Sequence, residues 1–297
     1  MNSDTLGLIV HDIEERLASD NHPPGYFDCV EMLDVLEFHV LDFANQNYTN
    51  SEIRQIEQQA KQLHAILTSI MNTTLDKLIQ EIHTPYTVPP LLKQIIAEYQ
   101  AAPNKLLVDE AGYDMFDDFL THLFQVDFVP SETRMRTADM IYLQPAPGRI
   151  ILDIIDKLTF TEQDCFYDLG SGLGQVSILI SLLTPARAVG IEYEPTYVNY
   201  ADLCVQKLGN LAVEFRNQDV RESDFSDGTI FFLHTPFMGS ILQQVLECLR
   251  EVSQKHPIIL CTYGPCTPII EQETWLVPIN TSHSTSEGLA ILTSATL

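Results

Sequence analysis

Basic residues are scarce in this chain. Sixteen lysines and arginines stand against 41 acids over 297 residues, a formal net charge of −25. Tight nucleic-acid binding rests on lysine and arginine neutralising phosphates, so the composition argues against a nucleic-acid partner. The deficit runs along the whole chain: residues 1–140 hold 23 acids and 8 bases, and residues 141–297 hold 18 and 8. Neither half reserves a basic face. Such acidity serves solubility, and it favours a basic protein or a cationic small molecule as partner. Runs of 18 apolar residues are also missing, which argues against a membrane-spanning helix. The start, Met1-Asn2-Ser3-Asp4, has neither the basic residues nor the apolar stretch of a secretory signal. No two of the six cysteines (Cys29, Cys165, Cys204, Cys248, Cys261, Cys266) stand at C-x-x-C spacing. That argues against a zinc site or a disulfide framework. The expectation is reduced core thiols in a cytoplasmic protein, with no metal and no membrane.

What is present begins with an apolar fraction of 45%, enough for a sizeable core. The length suits two domains. Apolar residues recur at spacings of three and four over residues 6–17, 27–43, 51–82, 91–99 and 115–124, which predicts helices. Pro23-Pro24-Gly25 and the polar stretch 45–50 punctuate them. A boundary is expected near residues 128–137, giving an α-helical N-terminal domain over 1–130 and a second domain over 131–297. After a helical stripe at Ile150, Ile151, Ile154, Ile155 and Leu158, strand and helix patterns alternate. Strands are predicted at 166–169, 188–191, 213–217, 229–233 and 258–261, with helices at 176–183, 197–208 and 242–252 between them. The tail adds strands at 274–278 and 288–293. This alternation predicts a doubly wound, mostly parallel sheet with helices on both faces, closed by an antiparallel hairpin.

The most informative segment is Asp168-Leu169-Gly170-Ser171-Gly172-Leu173-Gly174-Gln175. It follows a buried strand and opens a helix. Glycines at alternate positions let the backbone pass close beneath a ligand, and the helix N-terminus behind them presents free N–H groups. A dinucleotide fingerprint would put its third glycine three residues after the second. Here Gln175 holds that place and Gly174 falls one residue early. A carboxylate at the strand end, Asp168, suits a ligand with a cationic part better than a pyrophosphate. The segment reads as an S-adenosylmethionine loop, with Gly170, Ser171, Gly172, Gly174 and Gln175 as its contacts. Glu192 closes the next strand about 20 residues on, where such sheets place the acid for ribose hydroxyls. Asp219 and Val220 close the third and are placed to meet the adenine. A simpler reading makes these acids solvated loop residues; their recurrence at successive strand ends favours the nucleoside.

The strand at 229–233 runs into His234-Thr235-Pro236-Phe237. Methyl transfer needs nucleophile, methyl and sulfur in line. Thr235 would orient the nucleophile through its hydroxyl or its carbonyl, and Phe237 would wall the channel. His234 is a candidate base, or a structural hydrogen-bonding group beside the turn. Upstream, Tyr142-Leu143-Gln144-Pro145 would fold over the cofactor, although an ordinary linker fits the same residues.

From about Tyr142 to Leu260 the chain resembles the catalytic core of nucleosomal histone lysine methyltransferases of the disruptor-of-telomeric-silencing type and their bacterial relatives. Phe166-Tyr167-Asp168-Leu169-Gly170-Ser171-Gly172-Leu173-Gly174-Gln175-Val176 is similar to that family's F-V-D-L-G-S-G-V-G-Q-V. The resemblance implies a class I methyltransferase with a Rossmann-like sheet and S-adenosyl-L-methionine as cofactor. It implies lid contacts from Tyr142, Gln144 and Pro145, a ribose contact from Glu192, and adenine contacts from Asp219 and Val220. Tyr142, Thr235 and Phe237 fall at the methyl end. The family's Y-G-E-T lid is here Tyr142-Leu143-Gln144-Pro145, and its N-N-F is Thr235-Pro236-Phe237. The family's basic nucleosome-binding tail has no counterpart, and the helices before residue 130 show no resemblance. The acceptor expected is a protein side chain, with a small metabolite as the rival. A cofactor-binding module without turnover is a reading of a different class.

Overall fold

The structure is a computed structural model. It describes residues 2–18, 24–46, 50–84, 88–102, 108–109, 112–124, 128–209, 211–279 and 288–294. Of the predicted breaks, Pro23 and residues 47–49 lie outside these residues. The chain divides into two compact units, Met1–Val108 and Asp109–Leu297.

The first unit is helical. Helix α1 (Ser3–Leu17) starts where the Asn2 side chain accepts the Thr5 N–H, and it buries Leu6, Val10 and Ile13. Helix α2 (Tyr26–Val35) continues through a π-helical turn (Leu36–Leu41) into α3 (Asp42–Gln46). The single helix expected over 27–43 is therefore interrupted by one wider turn. Helix α4 (Ser51–Ile82) is capped by Asn50 and buries Ile53, Ala60, Leu63, Leu67, Met71, Leu78 and Ile82 along one stripe. Helix α5 (Pro90–Ala101) opens on a proline, which has no N–H to leave unsatisfied.

The second unit begins with α6 (Met115–Phe124) and α7 (Gly148–Lys157). Phe116 of α6 is fully buried and closes on Gly148, where a Cβ would stand 2.6 Å from its ring. The Asp117 carboxylate accepts the Gly148 N–H at 2.7 Å. These contacts place α6 with the second unit, whereas the sequence pattern sets its boundary only after α6.

The sheet comprises β1 (Cys165–Leu169), β2 (Arg187–Glu192), β3 (Val213–Asn217), β4 (Ile230–Leu233), β5 (Ile259–Thr262), β6 (Val277–Pro278) and β7 (Ala290–Thr293). Helices α8 (Gln175–Leu183), α9 (Pro195–Leu208), α10 (Gly239–Ser253) and α11 (Thr267–Ile270) connect strands. The order is β3-β2-β1-β4-β5-β7-β6. The first five strands are parallel, and β7 runs antiparallel to β5 and β6. This is the Rossmann-like, mostly parallel α/β sheet the alternation predicts. The expected strand at 274–278 shrinks to Val277–Pro278, because Glu273 and Trp275 are held in a turn, with the indole N–H donating to Glu273 at 2.8 Å.

Strand β1 is buried along its whole length. Tyr167 stacks on Phe231 of β4, with ring centroids 5.5 Å apart. The chain winds outward from β1 to β3 and then returns to β4 on the other side of β1. That reversal opens a crevice at the carboxyl ends of β1 and β4.

Candidate functional site

The turn after β1 is pinned by β2. Gly170 and Ser171 donate their N–H groups to the Ile191 carbonyl at 2.9 and 3.0 Å. Gly172 donates to Glu192 Oε2 at 2.9 Å. Gly170 has φ +85°, and a Cβ there would overlap Pro236 at the end of β4. Only glycine lets the two strand ends come this close. Gly174 caps α8 at φ +87°, and its Cβ would sit 2.5 Å from the Phe215 ring and 2.8 Å from Ala201.

A cleft of about 430 Å³ opens above this turn. It brings together the predicted Tyr142, Gln144, Pro145, Asp168, Gly170 and Ser171. Gly172, Gln175, Glu192, Asp219, Val220, Thr235 and Phe237 line it too. Gly174 does not; it serves packing between α8, α9 and β3.

The acids differ in environment. Asp168 is 3% exposed, and burial pushes its carboxyl up to about 7. The Ser177 hydroxyl at 3.3 Å opposes that shift, and the charge of Glu192 adds to it. Glu192 is also raised by burial, against the backbone N–H groups of Glu194 and Gly172 that it accepts at 2.7 and 2.9 Å. The Tyr193 N–H is a third backbone donor to it, so the two oxygens keep part of their acceptor capacity. Asp219 is held low by Arg221, whose guanidinium reaches its two oxygens at 2.9 and 2.6 Å.

At the other wall, Thr235 has φ +44°. Its hydroxyl lies 3.2 Å from the Tyr263 carbonyl and accepts the Cys266 N–H at 3.1 Å. The hydroxyl is thus engaged in holding the turn, and of the two groups considered for orienting a nucleophile the carbonyl is the one not so committed. Phe237 is buried and pairs in a β-bridge with Met140, which ties the loop bearing Tyr142 to the end of β4. Tyr142 is 76% exposed, with the Arg136 guanidinium 3.2 Å from its ring centroid. The Gln144 side chain bonds the Tyr113 hydroxyl, which itself donates to the Pro145 carbonyl at 2.9 Å. Gln175 donates to the Ala146 carbonyl at 3.0 Å. His234 lies against Tyr263, burial pushes its imidazole pKa down, and its Nδ1 is buried without a partner.

Glu132, Arg134, Tyr197 and Glu194 also line the cleft and were invisible to sequence reasoning. The one signal was local: Glu194 precedes Pro195 and caps α9, accepting the Thr196 N–H at 3.1 Å.

Residues 140–245 match the model of the family described as histone methylation protein DOT1. The chain is a class I S-adenosylmethionine-dependent methyltransferase resembling that type. The matched residues include the Met140 bridge, the Tyr142 loop, the glycine turn and the strand ends that wall the cleft. Among solved structures, this methyltransferase is similar to an RNA methyltransferase from Salinibacter ruber in complex with S-adenosyl-L-homocysteine, at 27% identity over 50% of this chain and 92% of that one, with a TM-score of 0.39. It is also similar to a SAM-dependent methyltransferase from Aquifex aeolicus, at 17% identity over 50% and 91%, with a TM-score of 0.38. No curated protein matches the chain.

The residues present fit S-adenosylmethionine. The Ser171 hydroxyl is buried in the cleft wall without a partner, and Glu192 lines the cleft with acceptor capacity left beyond its backbone donors. No helix among the described residues is long and apolar enough to cross a membrane. No cluster of metal-ligating side chains is found among them.

Proposed function

We propose that this enzyme transfers a methyl group to a protein side-chain amine of the lysine kind. The observation that carries this reading is where the histone-methylation family model falls: residues 140–245, the segments that build both walls of the cleft. Charge supports it as well. The cleft is lined by five acids, Glu132, Asp168, Glu192, Glu194 and Asp219, against two bases, Arg134 and Arg136, in a chain of net charge −25, an acidic excess that draws in cationic acceptors and repels phosphate.

In this reading Glu192 would hold the ribose hydroxyls through the acceptor capacity its backbone donors leave, and Val220 would lie against the adenine. Asp219 accepts from the adenine amino group through whichever lone pairs Arg221 leaves. Asp168 and the turn Gly170-Ser171-Gly172 hold the amino-acid end, beside Gln175. Pro145 and Gln144 stiffen the loop over it. The bound cofactor supplies a methyl already activated on a sulfonium. The Thr235 carbonyl and the Phe237 wall aim the acceptor nitrogen at it, and Tyr142 closes the rim. To take that methyl the acceptor nitrogen would need a free lone pair, so it would have to arrive deprotonated.

Incubation with methyl-labelled S-adenosylmethionine and separate protein, RNA and metabolite pools tests this. Label in protein that hydrolyses to methyl-lysine is expected. Label confined to RNA or to small molecules would overturn it. Cofactor binding without transfer to any pool would favour a module that binds but does not turn over.

A further inference from the structure

Glu194 stands two residues beyond the expected ribose acid, and the mechanism above gives it no task. It is 5% exposed and heavily bonded. Its Oε2 accepts the backbone N–H groups of Thr133 and Arg134 at 2.9 and 2.8 Å. Its Oε1 accepts the Thr133 hydroxyl at 2.7 Å. The Thr196 hydroxyl lies 3.0 Å from Oε1 and 3.1 Å from the Ser131 carbonyl. Burial alone would raise this carboxyl, but the bonds from Arg134, Thr133 and Thr196 outweigh burial and hold it down at about 2. The anchor is therefore charged at any working pH.

What it anchors is the irregular segment 131–136, which forms a strap over the ends of β2 and β3. Arg134 of the strap donates to the Tyr193 carbonyl at 2.7 Å and to Asn217 Oδ1 at 3.1 Å, and its guanidinium lies 4.8 Å from the Tyr193 ring centroid. Glu132 accepts the Tyr197 hydroxyl at 3.1 Å and pairs with Arg136 at 2.9 Å. Arg136 in turn covers Tyr142. All of these side chains except Asn217 line the cleft. Nothing in the strap is helix or strand, so no ladder of its own fixes its path. Two successive N–H groups converging on one carboxylate do that instead.

We propose that Glu194 is a positioning residue for the nucleoside half of the cofactor, acting through the strap it holds across the strand ends. This rests on the reading that the cleft takes S-adenosylmethionine. A carboxylate is needed because both its oxygens accept. Glutamine at 194 would turn an NH₂ group toward donors on one side.

The test measures dissociation constants by calorimetry for S-adenosylhomocysteine and for 5′-methylthioadenosine, which keeps the nucleoside and lacks the amino-acid end. In Glu194→Gln both constants are expected to rise about tenfold and by the same factor, as when a charge-assisted bond network is lost. The melting temperature of the ligand-free protein is expected to stay within a few degrees. Unchanged constants would overturn the proposal and leave the methyltransferase reading standing. So would a loss for S-adenosylhomocysteine alone, which would place the effect at the amino-acid end. If the unaltered protein binds neither compound, both readings fall. Should Glu194→Gln not fold, Arg134→Ala removes the strap's own hold on Tyr193, and the same parallel loss is expected. Equal affinities in that variant and the unaltered protein would contradict the proposal.

Discussion

Gly172 donates its backbone N–H to Glu192 Oε2 at 2.9 Å, so the glycine turn after β1 and the acid ending β2 are one hydrogen-bonded unit. A ligand that uses either one meets both. The bond orients Glu192, and it fixes the turn against the strand beside it.

Removal of Asp168 or of Glu192 tests the assignment of the cofactor site. Asp168→Ala and Glu192→Ala are each expected to cost about 1–3 kcal/mol of S-adenosylhomocysteine affinity, the range for hydrogen bonds to charged groups. Calorimetric titration checks this. Unchanged affinity in both variants would dissociate the turn from the cofactor.

Affinity also depends on pH through Asp168. Burial holds its carboxyl at about 7 in the ligand-free protein, and the ammonium of the cofactor's amino-acid end would favour the ionised form. Binding then expels a proton below pH 7, and affinity for S-adenosylmethionine is expected to fall as pH drops, approaching about tenfold per unit. Titrations from pH 5.5 to 8.5 read the slope. An affinity that rises toward acid would contradict it.

Two buried carboxyls also shape stability. Asp117 is raised to about 6 by burial against its backbone donors, and Asp168 to about 7. Both folded values lie above the unfolded one, so the folded protein binds these protons more tightly. Their stabilising contribution is full below the unfolded value near 4 and is lost as pH rises through 6 and 7. Asp117→Asn is expected to flatten the fall in melting temperature between pH 4 and 7. An unchanged slope would show that Asp117 does not titrate there.

Thr235 separates a structural hydroxyl from a catalytic one. Its oxygen bridges the Tyr263 carbonyl and the Cys266 N–H at a left-handed position. Thr235→Ser keeps that bridge and is expected to match the parent in stability and methyl transfer. Thr235→Val leaves the Cys266 N–H and Tyr263 carbonyl unpaired in the core, costing about 1–3 kcal/mol. Equal melting temperatures for the two variants would refute the bridge.

Much of the second unit was legible in the sequence because its signals are local. Strand β1 is a short apolar run between turn residues, and Asp168, Glu192 and Asp219 each stand at or just beyond the end of a strand. Backbone geometry sorts out what spacing alone could not. Gly174 matches the motif, yet its missing Cβ makes room for Phe215 and Ala201 and not for a ligand. Asp219 is clasped by Arg221 two residues on, a pairing that a string of letters does not reveal. The strap at 131–136 reads as a boundary because its order comes from Glu194, sixty residues away, and from backbone N–H groups that every sequence has. Likewise the position of α6 depends on Phe116 meeting Gly148, a contact with no periodic signature.

On the reading proposed above, S-adenosylmethionine sits in the crevice between the ends of β1 and β4, gripped by the acid that closes β2. A crystal structure of the protein soaked with S-adenosylhomocysteine tests this most directly. The ribose hydroxyls are expected on Glu192, the adenine beside Val220 and the sulfur facing Thr235. An empty crevice at saturating ligand, or the ligand bound elsewhere on the molecule, would contradict it.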